Sequence, residues 1–144
     1  MSAVAGFNVG KDISLSVQNP NGNLLLVGLT SFTSKPGTTK IKSKRITGLT
    51  YHGNIPDGWS GTFKVDRVDP SIDLFFANAE AGYYAGQSSP AGTIQEVISE
   101  LDGSTTTWQY TGVVLTFDDA GNWEGDKKVD QTISFEATTR TQVT

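Results

Sequence analysis

Alternation of apolar and polar residues along much of the chain is the feature that most constrains its fold. Ile13, Leu15 and Val17 alternate with serines, and later runs rich in β-branched and aromatic residues are bounded by Gly, Pro, Asn and Asp. Strands direct successive side chains to opposite faces, so such a pattern buries one face of a sheet. The predicted strands are 13–17, 24–32, 62–67, 93–101, 107–117 and 129–138. We therefore predict one mainly β domain over residues 1–144, built as a sandwich or barrel.

One segment has the spacing of a helix instead. Asp69 can accept hydrogen bonds from the first free N–H groups of a helix, and Pro70 has the φ that the first helical position needs. Gly82 can adopt a left-handed conformation, which predicts the helix end. Apolar residues that share one face of this helix, and so predict packing on the sheet, are Ile72, Phe75, Phe76 and Ala79. We expect one short helix flanking the sheet.

The segment 33–61 contains few apolar residues that could hold it on a core. It contains Pro36 and several glycines, and Lys40, Lys42 and Lys44 fall on one face of an extended stretch, with Ile41 on the other. A projecting hairpin or long loop accounts for this composition. We therefore predict an extended arm at about 33–60.

Charge is distributed unevenly along the chain, whose net charge is −4. Residues 1–60 carry six basic and two acidic side chains, and the remaining residues carry five basic and thirteen acidic ones. Oppositely charged segments can bring the basic part of one copy against the acidic part of the next. A solvated basic hairpin without a partner explains the same distribution equally well.

The residue types needed for most catalytic sites are scarce. There is no Cys, and the single histidine, His52, lies in the segment with the least core, so neither a nucleophilic triad nor a His- or Cys-ligated metal is expected. A calcium site is the remaining metal option, but the spacing of the acidic turn does not match an EF-hand loop. That turn contains Asp118, Asp119, Asn122, Glu124 and Asp126. We expect a solvated turn, no cofactor and no enzymatic activity.

Residues 1–10 lack both a basic start and a continuous apolar run, so we expect no signal peptide. No apolar run approaches the roughly 20 residues of a membrane helix, which predicts a soluble protein without membrane association.

Aromatic side chains leave two interpretations open. Trp108 and Tyr110 share one strand face, where a core position is expected. Trp59 and Trp123 lie in turn-rich contexts and could stack on carbohydrate, anchor a protein interface or be partly buried under a loop.

The order of several motifs resembles that of tail tube proteins of contractile-tailed bacteriophages. The resemblance covers about residues 45–140. In that family a Gly-Trp-x-Gly stretch opens a strand, a short helix follows, and a late strand of alternating residues closes the fold. The corresponding segments here are Gly58-Trp59-Ser60-Gly61 and the strand to Val65, the helical segment 69–81, Tyr110-Thr111-Gly112-Val113, and 131–136.

The resemblance implies a homohexameric ring, stacked into a hollow tube in the virion tail, after assembly in the host cytoplasm. It implies tail sheath and baseplate partners, and DNA that passes through the lumen without specific binding. The arm would contact an adjacent subunit or ring, through Lys35, Lys40, Lys42, Lys44, Arg45 and Trp59. The alternatives are a baseplate or terminator protein that shares the tube fold, or a carbohydrate-binding β-sandwich module.

Overall fold

A computed structural model describes residues 6, 9, 13–19, 22–26, 28–87 and 91–143. Within these residues the chain forms eight strands and one helix. They are β1 (Ile13–Asn19), β2 (Gly22–Leu25), β3 (Leu29–Lys44), β4 (Thr50–Asp66), α1 (Ser71–Tyr84), β5 (Gly92–Ser99), β6 (Thr105–Asp119), β7 (Asp130–Ala137) and β8 (Thr139–Gln142). The prediction of a mainly β fold with one helix and a long extended hairpin is confirmed.

All pairings in the sheet are antiparallel, in the order β2-β1-β5-β6-β7-β4-β3, and β8 continues along β6 beyond the end of β7. The β5–β6 connection is a tight hairpin, as Asp102 and Gly103 predict. Gly103 has φ +90° there, and the amide of Glu100 donates to the carbonyl of Ser104 at 2.8 Å. β2 and β3 are the two ends of this order, and the sheet is not closed.

Strand β6 belongs to both halves of the sheet. Its first part pairs with β5 as far as Val113, and from Val114 onward it pairs with β7. Just before this change of partner, Gly112 has φ +65°, and a Cβ at this position would collide with the side chain of Thr138. Strands that change sheets at such a bend form the corners of sandwiches. Gly112 therefore lets one strand serve both halves.

The core lies between the two halves and contains aromatic rings from both. Phe32, Phe63, Tyr110 and Phe135 form one cluster, in which the rings of Phe32 and Phe135 stack with centroids 5.8 Å apart. Tyr110 meets Phe135 edge-on at 5.5 Å. Full burial of each such side chain contributes about 1.5–3 kcal/mol to folding.

Helix α1 packs on this sheet with the predicted face. Ile72 is buried, and Phe76 stacks on Phe117 of β6 at 4.6 Å. The carboxylate of Asp69 accepts a hydrogen bond from the amide of Ser71 at 3.0 Å, as expected. Pro70, predicted at the first helical position, is instead the N-cap residue, and among the described residues no side-chain cap bond accompanies it.

The helix end is predicted near Gly82 and lies two residues later, but the prediction that Gly82 closes the helix is wrong. The helix continues to Tyr84 and closes through Gly86, whose φ is +84°. The amide of Gln87 donates to the carbonyl of Gly82 at 2.9 Å, and that of Gly86 donates to Tyr83 at 3.0 Å. These two bonds are those of a Schellman motif, which needs its left-handed residue after the last turn.

The strands differ from the prediction in two places. The predicted strand 24–32 is interrupted, because Gly28 approaches the backbone of Asp66, whose amide donates to the Gly28 carbonyl at 2.7 Å. A Cβ on Gly28 would lie 2.6 Å from the Asp66 carbonyl oxygen. Strand β8 is not expected from local pattern at all.

Most of residues 1–12 lie outside the described residues. The expectation that residues 1–10 form no signal peptide falls on this part of the chain. In the described part of the chain, no helix is long and apolar enough to cross a membrane.

Candidate functional site

The β3–β4 hairpin leaves the body of the sheet at a defined root. β4 pairs with β7 from Asp66 as far as Trp59. Among the described residues, those from 38 to 57, here called the free arm, therefore pair only with each other. Gly58 has φ +85°, and a Cβ there would lie 2.7 Å from the carbonyl oxygen of Ala137. The ladder also contains a bulge between Pro36 and Thr38. A bulge and a left-handed glycine allow the arm to bend away from the sheet.

The free arm has two chemically different faces. Directly paired residues share a face, and so do alternate residues of one strand. Ile41 pairs with Gly53, which lies between Tyr51 and Ile55 in this alternation, so Ile41, Tyr51 and Ile55 form an apolar face. The opposite face contains Lys40, Lys42, Lys44 and His52. This register confirms the predicted separation of the lysines from Ile41. Every residue from 38 to 57 is exposed.

A tight turn forms the tip of the free arm. The amide of Gly48 donates to the carbonyl of Arg45 at 2.9 Å, and Gly48 has φ +90°. Ile46 and Leu49 are exposed, and the Arg45 guanidinium lies 4.5 Å from the centre of the Tyr51 ring. The tip thus presents apolar and cationic groups together.

The structure separates the six residues predicted as an interface into two groups. Lys40, Lys42, Lys44 and Arg45 lie on the free arm or its tip. Lys35 pairs with Ser60 in the body of the sheet, and Trp59 is half-buried against the core. Their role at an interface remains a prediction.

A cationic and aromatic cluster anchors the root. The Arg140 guanidinium carbon lies 3.8 Å from the centre of the Trp108 ring and 4.7 Å from that of Trp59. One Arg140 nitrogen is 4.0 Å from Glu96 Oε1, and Tyr110, fully buried, meets Trp59 edge-on at 6.1 Å. The cluster ties β8, β6 and the root of the arm together.

Glu96 is the buried acid of this cluster. Burial raises its pKa above the ordinary value, while the Tyr110 hydroxyl and the Arg140 charge act in the opposite direction. The Tyr110 hydroxyl donates to Glu96 Oε1 at 3.2 Å and lies 3.1 Å from Ser34 Oγ. The sequence contained a signal for Glu96, because it lies two residues after Ile94 and therefore on the same, buried face of β5.

A cleft opens beside the root of the arm. This root cleft has a volume of about 630 Å³. Pro56, Trp59 and Val114 supply apolar surface, and Asp57 and Glu136 supply two carboxylates. None of the described residues that line it is basic. The root cleft can accept a segment that is both apolar and cationic.

The other sequence candidates are not brought together as a catalytic or metal site. His52 is exposed on the free arm, beside Lys42. Among the described residues, no three His, Asp or Glu side chains lie close enough to hold a metal ion. Trp123 is 69% exposed, with the Arg67 guanidinium carbon 5.2 Å from its ring centre.

Comparison with known proteins identifies the class to which this fold belongs. A chain of the sheath–tube complex of an extracellular contractile injection system, in the extended state, gives a TM-score of 0.64 at 12% identity, over 90% of this chain and 88% of that one. The tube-terminating cap of the anti-feeding prophage gives a TM-score of 0.66 at 15% identity, over 99% of this chain and 94% of that one. The SPP1 tail tube gives a TM-score of 0.61 at 12% identity, over 94% of this chain and 78% of that one.

The chain therefore has the fold of tail tube proteins, and the resemblance drawn from its sequence is confirmed at that level. No protein-family model matches the chain, and no curated protein matches it in sequence.

Proposed function

We propose that this chain is a structural subunit of a phage tail tube, which assembles into stacked hexameric rings and forms a conduit for DNA during ejection. The chain acts as a single domain without catalysis. Tail sheath and baseplate proteins are its further partners, and the virion tail is its location after assembly in the host cytoplasm. The tail-tube fold supports this role.

The free arm is the observation that carries the proposal. A two-stranded hairpin is marginally stable by itself, and this one exposes both of its faces. Contiguous exposed apolar surface with a polar border marks interaction sites. The arm is therefore expected to gain its packing from an adjacent subunit, with Lys35, Lys40, Lys42, Lys44, Arg45 and Trp59 at or near that contact.

The net charge of −4 suits a conduit. Phosphates are repelled by carboxylates, so an acidic lumen opposes retention of DNA. The basic residues of the arm would then be buried against acidic surface of another copy and would not face the lumen.

Electron microscopy of the purified protein over a concentration series, with light scattering, tests the proposal. We expect hollow tubes or stacked rings. The matched variant replaces residues 38–57 by Asn-Gly, which closes a two-residue hairpin between Gly37 and Gly58. It should keep a cooperative melting transition and lose tubes. Normal tubes from this variant would refute the role of the arm, and a strict monomer at every concentration of wild type would refute self-assembly.

A terminator at the end of a tube is the second candidate. The tube-terminating cap of the anti-feeding prophage supports it, with the TM-score of 0.66. If the chain ends a tube, we expect it to form single rings that do not stack, so the same micrographs separate the two roles.

A carbohydrate-binding module has less support from the geometry. Arg140 lies over the ring of Trp59, so a sugar would have to displace a guanidinium that already has an ionic partner nearby.

A further inference from the structure

The tip of the free arm and the root cleft are complementary in chemistry. The tip offers Ile46 and Leu49 beside the cations of Lys44 and Arg45. The root cleft combines the apolar groups of Pro56, Trp59 and Val114 with the carboxylates of Asp57 and Glu136. An apolar and cationic element therefore has an apolar and anionic receptor on the same molecule, and like-charged groups do not oppose each other.

The tip cannot reach the root cleft of its own chain. The ladder of the free arm is regular from the Thr38–Pro56 pair to the Lys44–Thr50 pair. Eight residues separate Gly37 at the root from Arg45 at the tip, which is about 27 Å of extended strand. The occupant must therefore come from another copy.

We propose that the tip of the free arm docks into the root cleft of a neighbouring copy, with Ile46 and Leu49 against Pro56 and Val114. Lys44 and Arg45 then face Asp57 and Glu136. This inference rests on the proposed self-assembling function and identifies the receptor for its arm.

The geometry also determines the type of assembly. Each copy offers one tip and one cleft, separated by the length of the arm, so the contact is heterologous. A heterologous contact either closes into a ring or propagates as a filament. Every occupied cleft leaves the tip of that copy available for the next one, which gives the assembly a direction.

Disulfide trapping tests the contact directly, because the chain contains no cysteine of its own. The test variant carries Leu49→Cys and Val114→Cys, and the matched control carries Leu49→Cys with Glu80→Cys on the exposed surface of α1. Under mild oxidation of assembled protein, we expect the test variant to give a ladder of dimers, trimers and longer species on a non-reducing gel. The control should stop at dimers.

Charge reversal provides a second measurement that does not depend on disulfide geometry. Lys44→Glu places a third acid against the cleft, and we expect it to raise the critical concentration for assembly about tenfold or more. Adding Glu136→Lys should restore most of this loss. Lys64→Glu, an exposed charge in the body of β4, serves as the control and should leave assembly unchanged.

The outcomes separate this inference from the proposed function. Tubes without a ladder, or with equal ladders in the test and control variants, overturn the docking of the tip in the root cleft and leave the tube role intact. A failure of charge rescue in assembling protein does the same. Absence of any assembly by wild type overturns the proposed function and this inference together.

Discussion

Replacing Tyr110 by phenylalanine removes one hydroxyl from the centre of the molecule and keeps the ring. The ring is fully buried and should retain its contacts with Phe32, Trp59 and Phe135. The hydroxyl donates to Glu96 Oε1 at 3.2 Å, so its loss leaves a buried carboxylate with less compensation. A hydrogen bond to a charged group contributes about 1.5–3 kcal/mol. We expect a loss of that size, and a melting temperature lower by about 5–10 °C.

The loss should depend on pH. Because burial raises the pKa of Glu96 in the folded state, the stability linked to this group is complete below its ordinary value of 4.5 and falls as pH rises through the raised value. The Tyr110 hydroxyl lowers that pKa, so the phenylalanine variant raises it further. Its free energy of unfolding should therefore be reduced more near pH 7.5 than near pH 4.

Urea denaturation at both pH values measures the effect, with Tyr83→Phe as the control, because Tyr83 is exposed. The control should change the free energy of unfolding by less than about 0.5 kcal/mol. An equal loss for Tyr110→Phe at the two pH values would refute the coupling to Glu96, and a loss no larger than that of the control would refute the buried hydrogen bond.

Three further substitutions probe the body and the root. Glu96→Gln removes the titrating group, so its urea midpoint should vary less between about pH 4 and pH 7.5 than that of wild type; an unchanged pH slope would contradict this. Phe135→Ala should cost about 3–5 kcal/mol, against about 1 kcal/mol or less for the exposed Val114→Ala, measured by denaturation. Gly58→Ala forces φ +85° and a 2.7 Å contact on a Cβ, so it should lower the melting temperature measurably, whereas Gly48→Ala, also at positive φ, meets no atom within 4 Å and should cost less.

Local pattern is sufficient for much of this fold. Alternation identifies β1, β5 and β7, and Asp69-Pro70 identifies the start of α1 to within one residue, because these signals depend on neighbouring residues only. The arm is recognisable for a different reason, since a segment with so few apolar residues cannot be held on a core. The end of α1 is missed because two glycines compete for the closing position and only Gly86 follows the last turn.

Contacts between distant segments account for what the sequence does not reveal. Tyr110 and Ser34 are 76 positions apart, and Arg140 reaches Trp59 and Trp108 only after β8 has aligned with β6. The root cleft likewise combines residues of four strands and has no local signature. The interruption at Gly28 depends on the approach of Asp66, which lies at the end of the paired strand β4 and is 38 positions away in the sequence.

The shared strand β6 also governs how the molecule exchanges its amide hydrogens. β6 is paired with β5, β8 and β7. Neither half of the sheet can therefore open without loss of backbone hydrogen bonds in the other half. Amides of both halves should therefore exchange at a common slow rate, set by global unfolding. In the part of the chain that the structure describes, the free arm shares no ladder with the body, and its amides can exchange by opening of the hairpin alone. One cooperative unit and one independently opening ribbon thus coexist in a single chain.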